Sequence, residues 1–287
     1  MSVNPTSLTA LADAFGSDKG TISGARHSYT LLYDTLLTGM RDGRDTRILE
    51  LGLARGGPEV GGDADRRITG APSIDMWLNY FSDPQIVGFD ISDFSHLQDD
   101  RFTFVRGDCG KEADLERIFA PGDRFDLVLD DASHASFHQQ LCLARLFEGL
   151  RPGGLYLIED LHWVPEEYER TLPRVPRTRD WLLDFCKSGS LAPTAAVPPE
   201  AATALRDGIM SVQLFDEHTL DALGRLHTTR RGEGTSLGRR WRSLSAFGRL
   251  VDPTFLLFCL RRLASAFRNE EFVVRQNIKL AVIQKAW

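Results

Sequence analysis

The stretch Asp130-Asp131-Ala132-Ser133-His134 and the later pair Glu159-Asp160 put carboxylates and an imidazole where they could hold a metal and move a proton. If Asp131, Glu159 and Asp160 converge, their like charges raise one another's pKa and destabilise the fold unless a cation neutralises them. An all-oxygen donor set without a thiolate suits a hard divalent ion, Mg²⁺ first, with Mn²⁺ or Ca²⁺ as alternatives. His134 stands three residues after Asp131, close enough to flank such an ion without necessarily ligating it. An imidazole, with an ordinary pKa near ~6.5, suits general base work at neutral pH. Taken singly, paired acids are common at strand ends and a loop histidine is more often a hydrogen-bonded surface group; the combination is what points to a site.

A second cluster lies upstream. Glu50-Leu51-Gly52-Leu53-Ala54-Arg55-Gly56-Gly57 reads as a glycine-bearing turn between a strand and a helix, where backbone can approach a ligand closely. It is not GxGxxG, and residues 59–71 intervene before the next helical stretch. Asp90 closes the next apolar run, the place where a carboxylate accepts both hydroxyls of a ribose. With Asp108 and the glycines, this favours an adenosine-containing cofactor lacking a dinucleotide's second phosphate. The bland alternative is that Glu50 and Asp90 merely cap the turns that follow them.

These residues need elements to position them, and the sequence supplies a rhythm. Apolar runs at 47–52, 86–90, 102–108, 125–131 and 154–160 read as buried strands, each ending in an acid or in a glycine beside one. Helical spacing at 73–81, 111–119 and 136–150 separates them, the last closing in a turn at Arg151-Pro152-Gly153-Gly154. Strands alternating with helices predict an α/β fold, a mainly parallel, doubly wound sheet. In such a sheet the carboxyl ends of the strands share one edge, so the acids converge on a single crevice. Further strands at 211–215 and 277–283 are expected to supply an antiparallel edge, with a helix near 178–187 and a Pro- and Ala-rich loop at 191–199.

Composition narrows the class. With 287 residues, 42% hydrophobic and 26% charged, the chain is neither disordered nor fibrous, and its net charge is −6. No apolar stretch approaches the ~18 residues of a membrane helix and the first residues lack a signal-peptide layout, so a cytoplasmic protein without a membrane partner is expected. The cysteines at 109, 142, 186 and 259 never pair as CxxC and read as reduced structural thiols. Seven arginines between 225 and 249, with Trp241 among them, could grip RNA, but the acidic total favours a solvated insertion, and nucleic acid is not the expected partner. The apolar stretch Pro253 to Phe267 reads as a core helix, with a subunit contact as its alternative.

The chain resembles the S-adenosylmethionine-dependent O-methyltransferases of macrolide deoxysugars, the macrocin and mycinamicin type. The resemblance spans roughly residues 11 to 161 and rests on Phe15 to Gly20, His27 to Thr30 with Tyr33, Ile48 to Gly52, Ser73 to Trp77 with Tyr80-Phe81, Gly88 to Ile91, Asp130 to His134 and Ile158 to Asp160. Ala132 departs from the glycine expected in its turn, and residues 162–270 carry no motif of the family.

The resemblance implies a Rossmann-like class I methyltransferase, with Mg²⁺ held by Asp131, Glu159 and Asp160 and with His134 as base. It puts Glu50, Gly52, Asp90, Asp108 and Asp130 on the S-adenosylmethionine side, with Lys19 as a contact in a segment closing over the cofactor. The expected arrangement is a single domain over 1–287, with a cofactor-covering segment at 1–45 and insertions at 162–210 and 218–270 shaping the acceptor site. The expected partner is a small-molecule glycoside acceptor, whose pocket Trp163, Glu166 and Glu167 are candidates to line, and a homo-oligomer is expected by resemblance alone.

Overall fold

In the computed structural model, residues 7–22, 27–119, 124–217, 219–220 and 277–287 are described. The elements run α1 (Leu8–Phe15), α2 (Tyr29–Leu37), β1 (Arg44–Leu51), α3 (Pro72–Tyr80), β2 (Asp83–Asp90), β3 (Phe102–Arg106), α4 (Glu112–Glu116), β4 (Phe125–Asp130) and α5 (Ser136–Leu146). They continue with β5 (Leu150–Ile158), α6 (Glu166–Glu169), α7 (Thr178–Ser188), α8 (Pro199–Gly208), β6 (Ile209–Asp216) and β7 (Ile278–Lys285). The arginines at 225–249, the stretch 253–267 and Cys259 lie outside the described residues.

Seven strands form one sheet in the order β3-β2-β1-β4-β5-β7-β6. Pairs β1–β2, β1–β4, β2–β3 and β4–β5 are parallel, as the alternation of strands and helices requires. The antiparallel strand is β7, which slots between β5 and β6; β6, the outermost strand, therefore runs with the parallel set. The second-half strands are thus found, with the antiparallel one a place further in than an edge.

Both faces of the sheet are covered, and the central strands show why. Leu127 and Leu129 pack to one side with Leu8, Tyr33 and Trp77 of α1 to α3, while Phe125 and Val128 pack to the other with Leu115, Leu141, Trp181 and Leu205 of α4, α5, α7 and α8. Alternate residues of a strand point to opposite faces, so a strand apolar at every position needs helices on both.

One expected boundary moves. The helix from Ser136 ends at Leu146, and Arg151 to Gly154 enters the start of β5 instead of forming a separate turn. The β4–β5 register passes from Phe125↔Leu150 to Leu127↔Leu155, so a bulge absorbs the extra residues.

Candidate active site

The register brings the acids together. Leu51 pairs with Asp130 and Asp130 with Ile158, and the ladder continues past the strand ends as Asp131 N–H donates to Leu51 and Glu159 N–H to Asp130, both at 3.0 Å. Gly52 N–H likewise donates to Phe89 at 2.8 Å. Gly52 has φ +81°, and a Cβ there would stand 2.3 Å from the Asp131 carbonyl oxygen, so only glycine lets the turns after β1 and β4 lie this close.

Two cavities open along this edge. The smaller, about 460 Å³, is lined by Asp90, Asp108, Cys109, Arg66, His138 and Tyr168 among others. Asp90 accepts from the backbone N–H groups of Leu53 and Ser92, both at 2.7 Å. The larger, about 1770 Å³, is lined by Lys19, His27, Asp131, His134, Asp160, His162 and Trp163. Gly52, Ala54, Glu59 and Ala132 line both, so the cavities share a wall.

On the large cavity, Asp131, His134 and Asp160 each offer one ligand atom, all within 4.8 Å of one another. Glu159 lies outside that group. Its carboxylate accepts from the Tyr33 hydroxyl at 2.7 Å and from the Lys19 ammonium at 3.0 Å. Lys19, only 1% exposed, also donates to Asp131 and sits 3.7 Å from Glu50. Burial opposes its charge, but Asp131, Glu159 and Glu50 outweigh that and raise the ammonium pKa well above its ordinary value. Lys19 therefore stands among the acids and lines the large cavity, not the smaller one beside Asp90.

Asp160 is ringed by histidines. His27 Nδ1 is 3.4 Å from Oδ1, His162 Nδ1 3.9 Å from Oδ1 and His134 Nε2 4.0 Å from Oδ2. Against the opposing effect of burial, His27, His134 and the Tyr29 hydroxyl, which donates at 2.7 Å, hold the Asp160 carboxyl below its usual range. Burial pushes His27 down to about 4 and also lowers His162. Burial, with the neighbouring Asp131 charge, pushes Glu159 well up.

Backbone strain concentrates here. Among the described residues, non-glycine residues with positive φ are Ser28, Asp45, His134 and Asp160. Such a conformation costs on the order of 1 kcal/mol or more, and three of these four gather at one carboxylate: Asp160 bears it, and His134 and the two neighbours of Ser28, His27 and Tyr29, face it. Tyr29 and Tyr33, one turn apart on α2, reach Asp160 and Glu159 from the same helix face.

Three acids, Glu50, Asp131 and Glu159, face the buried Lys19 ammonium; Asp160 lies beside them, and the buried Lys279 ammonium sits 5.1 Å from the centroid of the Tyr29 ring that donates to Asp160. Glu50 Oε1, His134 Nδ1 and His162 Nδ1 are buried without a hydrogen-bond partner. An excess of negative charge beside unpartnered polar atoms is a setting that a divalent cation fits.

The remaining sequence candidates divide. Asp90, Asp108 and Gly52 line the small cavity. Glu50 and Asp130 line neither: Glu50 accepts from the Trp77 indole at 2.9 Å, and the Tyr156 hydroxyl lies 3.4 Å from Asp130. Burial raises both carboxyls to about 7. Trp163 meets His134 edge-on at 5.4 Å, whereas Glu166 and Glu167 are exposed on α6. The residues that reading by strand ends alone leaves out are His162, two places beyond Asp160, and His27, Tyr29 and Tyr33, which enter only through the family motifs.

No family model matches the chain. It is 38% identical over 141 residues to mycinamicin VI 2''-O-methyltransferase of Micromonospora griseorubida, across 48% of this chain and 32% of that protein. It is equally identical over 141 residues to demethylmacrocin O-methyltransferase of Streptomyces fradiae, across 48% and 33%. It is 36% identical over 160 residues to 8-demethyl-8-(2-methoxy-alpha-L-rhamnosyl)-tetracenomycin-C 3'-O-methyltransferase of Streptomyces olivaceus, across 55% and 37%. The chain thus spans about a third of the length of these curated relatives.

Among solved structures, it matches a methyltransferase of the mycinamycin biosynthetic pathway in complex with Mg, SAH and mycinamycin VI, with TM-score 0.55, 27% identity and coverage of 74% of this chain and 53% of that one. The fold is that of Rossmann-like class I methyltransferases, and the resemblance to macrolide sugar O-methyltransferases is borne out in these relatives. Among the described residues, no helix is long and apolar enough to cross a membrane.

Proposed function

We propose that this chain transfers a methyl group from S-adenosylmethionine to a hydroxyl of a sugar on a glycosylated natural product, with a divalent ion, Mg²⁺ first, at the acid cluster. The observation that carries this is the shared wall: Gly52, Ala54, Glu59 and Ala132 line both a cavity bordered by the β2 and β3 acids and the larger cavity bordered by Asp131, His134 and Asp160. A methyl donor in one would lie beside an acceptor in the other. The relatives and the Mg- and SAH-bound neighbour support both occupants.

Asp90 would receive the ribose hydroxyls, its two oxygens already fixed by backbone N–H groups. Asp131 and Asp160 would hold the ion, with Glu159 as third ligand on the Lys19 side. When bound, such an ion lowers the pKa of a hydroxyl it contacts by several units. His134, braced by Trp163, would take the acceptor's proton at Nε2, the nitrogen facing Asp160. S-adenosylmethionine, when bound, would supply a sulfonium methyl whose departure from a neutral thioether needs no acid. Holding both partners at ~3 to 3.5 Å supplies much of the catalysis.

Purified protein incubated with labelled S-adenosylmethionine and a panel of rhamnosylated or deoxysugar-bearing polyketides tests this. One methyl should appear on the sugar and none on the free aglycone. Chelation should abolish transfer and Mg²⁺ restore it; full activity after exhaustive chelation would remove the metal from the proposal. His134→Ala should lower turnover by about 10²-fold or more while leaving S-adenosylhomocysteine affinity, measured by calorimetry, near the parent value.

A further inference from the structure

The segment after β5 touches both cavities. Trp163 lines the large one, and Tyr168, a little further along the chain, lines the small one. A stretch expected to shape the acceptor site thus also reaches the other side of the shared wall. The element carrying Tyr168, α6, is a single turn of 4 residues, too short to hold itself in water. It is pinned from two sides: Glu169 Oε1 accepts from the Ser136 N–H at 2.9 Å, satisfying a donor at the start of α5, and the turn Pro58–Val60 packs against it. The ring of Tyr168, half-buried, meets His138 edge-on at 5.7 Å. That imidazole is itself fixed, with Nδ1 2.8 Å from Ser133 Oγ and Nε2 so close to Gly110 that a Cβ there would come within 2.8 Å of it. Tyr168 therefore has one place on the cavity wall.

The proposed methyl donor has three parts, and the small cavity sorts them. Its sulfur end has to lie at the wall shared with the large cavity, where Gly52 and Ala132 stand, and its ribose at Asp90. The base is then left with lining that the large cavity does not share, to which Asp108, Cys109, His138 and Tyr168 belong. Of the aromatic side chains on that lining, Phe89 is 1% exposed and packed into the core, and His138 is held by Ser133. We propose that Tyr168 is a cofactor-binding residue whose ring packs against the purine, and that Glu169 is the positioning residue that keeps it there. A purine offers a broad π face, and a phenol ring stacks on such a face without help from its hydroxyl. The proposal rests on the small cavity taking S-adenosylmethionine.

The experiment is calorimetry of S-adenosylhomocysteine binding to the intact protein. Tyr168→Ala should weaken binding by about tenfold to a hundredfold, the range of one base–aromatic stack, while Tyr168→Phe should stay within about twofold of the parent. Retained affinity in Tyr168→Ala overturns the assignment, and so does an equal loss in Tyr168→Phe, which would move the contact to the hydroxyl. Asp90→Asn reports separately on the cavity. If it weakens binding and Tyr168→Ala does not, the ribose reading stands and the Tyr168 proposal falls alone. If the parent binds no S-adenosylhomocysteine, or binds it indifferently to Asp90→Asn, the reading of the cavity falls and the proposal with it. Glu169→Ala should weaken binding by about fivefold with Tyr168 present and add nothing in the Tyr168→Ala background, and Glu169→Gln, which keeps an acceptor oxygen, should restore the parent's affinity. Additive losses in the double variant overturn the positioning role.

Discussion

Among single residues, Lys19 governs how the acids are shared. Its ammonium holds Asp131 and Glu159, and Tyr33 takes the other oxygen of Glu159, whereas Asp131 and Asp160 share common reach with His134. Mn²⁺ binding followed by electron paramagnetic resonance should therefore be lost, by about 10²-fold or more, in Asp131→Asn or Asp160→Asn, and weakened less, by about tenfold, in Glu159→Gln. An equal loss in all three would place Glu159 on the same footing as the other two. Glu50, fully buried with one oxygen lacking a hydrogen-bond partner, makes a prediction about pH. Its folded carboxyl titrates at about 7 because burial raises it, above the ~4.3 of an unfolded chain. Between those values the unfolded chain releases the proton and the folded one keeps it, so stability from this group is present below pH ~4 and lost as pH rises through 7. Urea melts in chelator should show Glu50→Gln gaining on the parent between pH 5 and 7.5, by on the order of 1–3 kcal/mol.

At the scale of elements, the turns after β1, β4 and β5 do the positioning. Gly52→Ala forces a side chain onto the Asp131 carbonyl and a strained φ on the residue, so S-adenosylhomocysteine affinity should drop by about tenfold or more and the melting temperature should fall, both measurable on purified protein. This part of the site is legible in the amino-acid pattern alone. Glu50, Asp90, Asp131 and Glu159 each end or follow an apolar run, and a parallel sheet gathers such ends at one edge. The opposing charges and donors are not legible from spacing. Lys19, His27, Tyr29 and Tyr33 belong to residues before β1, where no strand period exists, and they reach Asp131, Glu159 and Asp160 across more than a hundred residues of sequence. Glu50 and Asp130 also stand at strand ends, and the sheet buries both beneath aromatic partners. Pattern reports which face a residue takes along a strand, and depth beneath a cavity depends on what packs above it.

For the whole molecule, the sheet depends on β7. Val282 is 3% exposed and pairs with Leu157 of β5 on one side and Gln213 of β6 on the other. Val282→Pro removes a ladder donor in a strand flanked on both sides, a position proline does not tolerate. Circular dichroism and size-exclusion chromatography should find the variant unfolded or aggregated, whereas proline at Trp287, 86% exposed and beyond the ladder, should leave the profile unchanged.

That slot also bears on synthesis. A ribosome that has released residue 216 but has yet to make residue 278 holds a nascent chain whose β5 and β6 each present a bare row of backbone donors and acceptors to water. The gap between them closes only after the intervening segment has been translated, so this interval is when a ribosome-bound chaperone would matter most and when codon choice over 217–277 would tune yield.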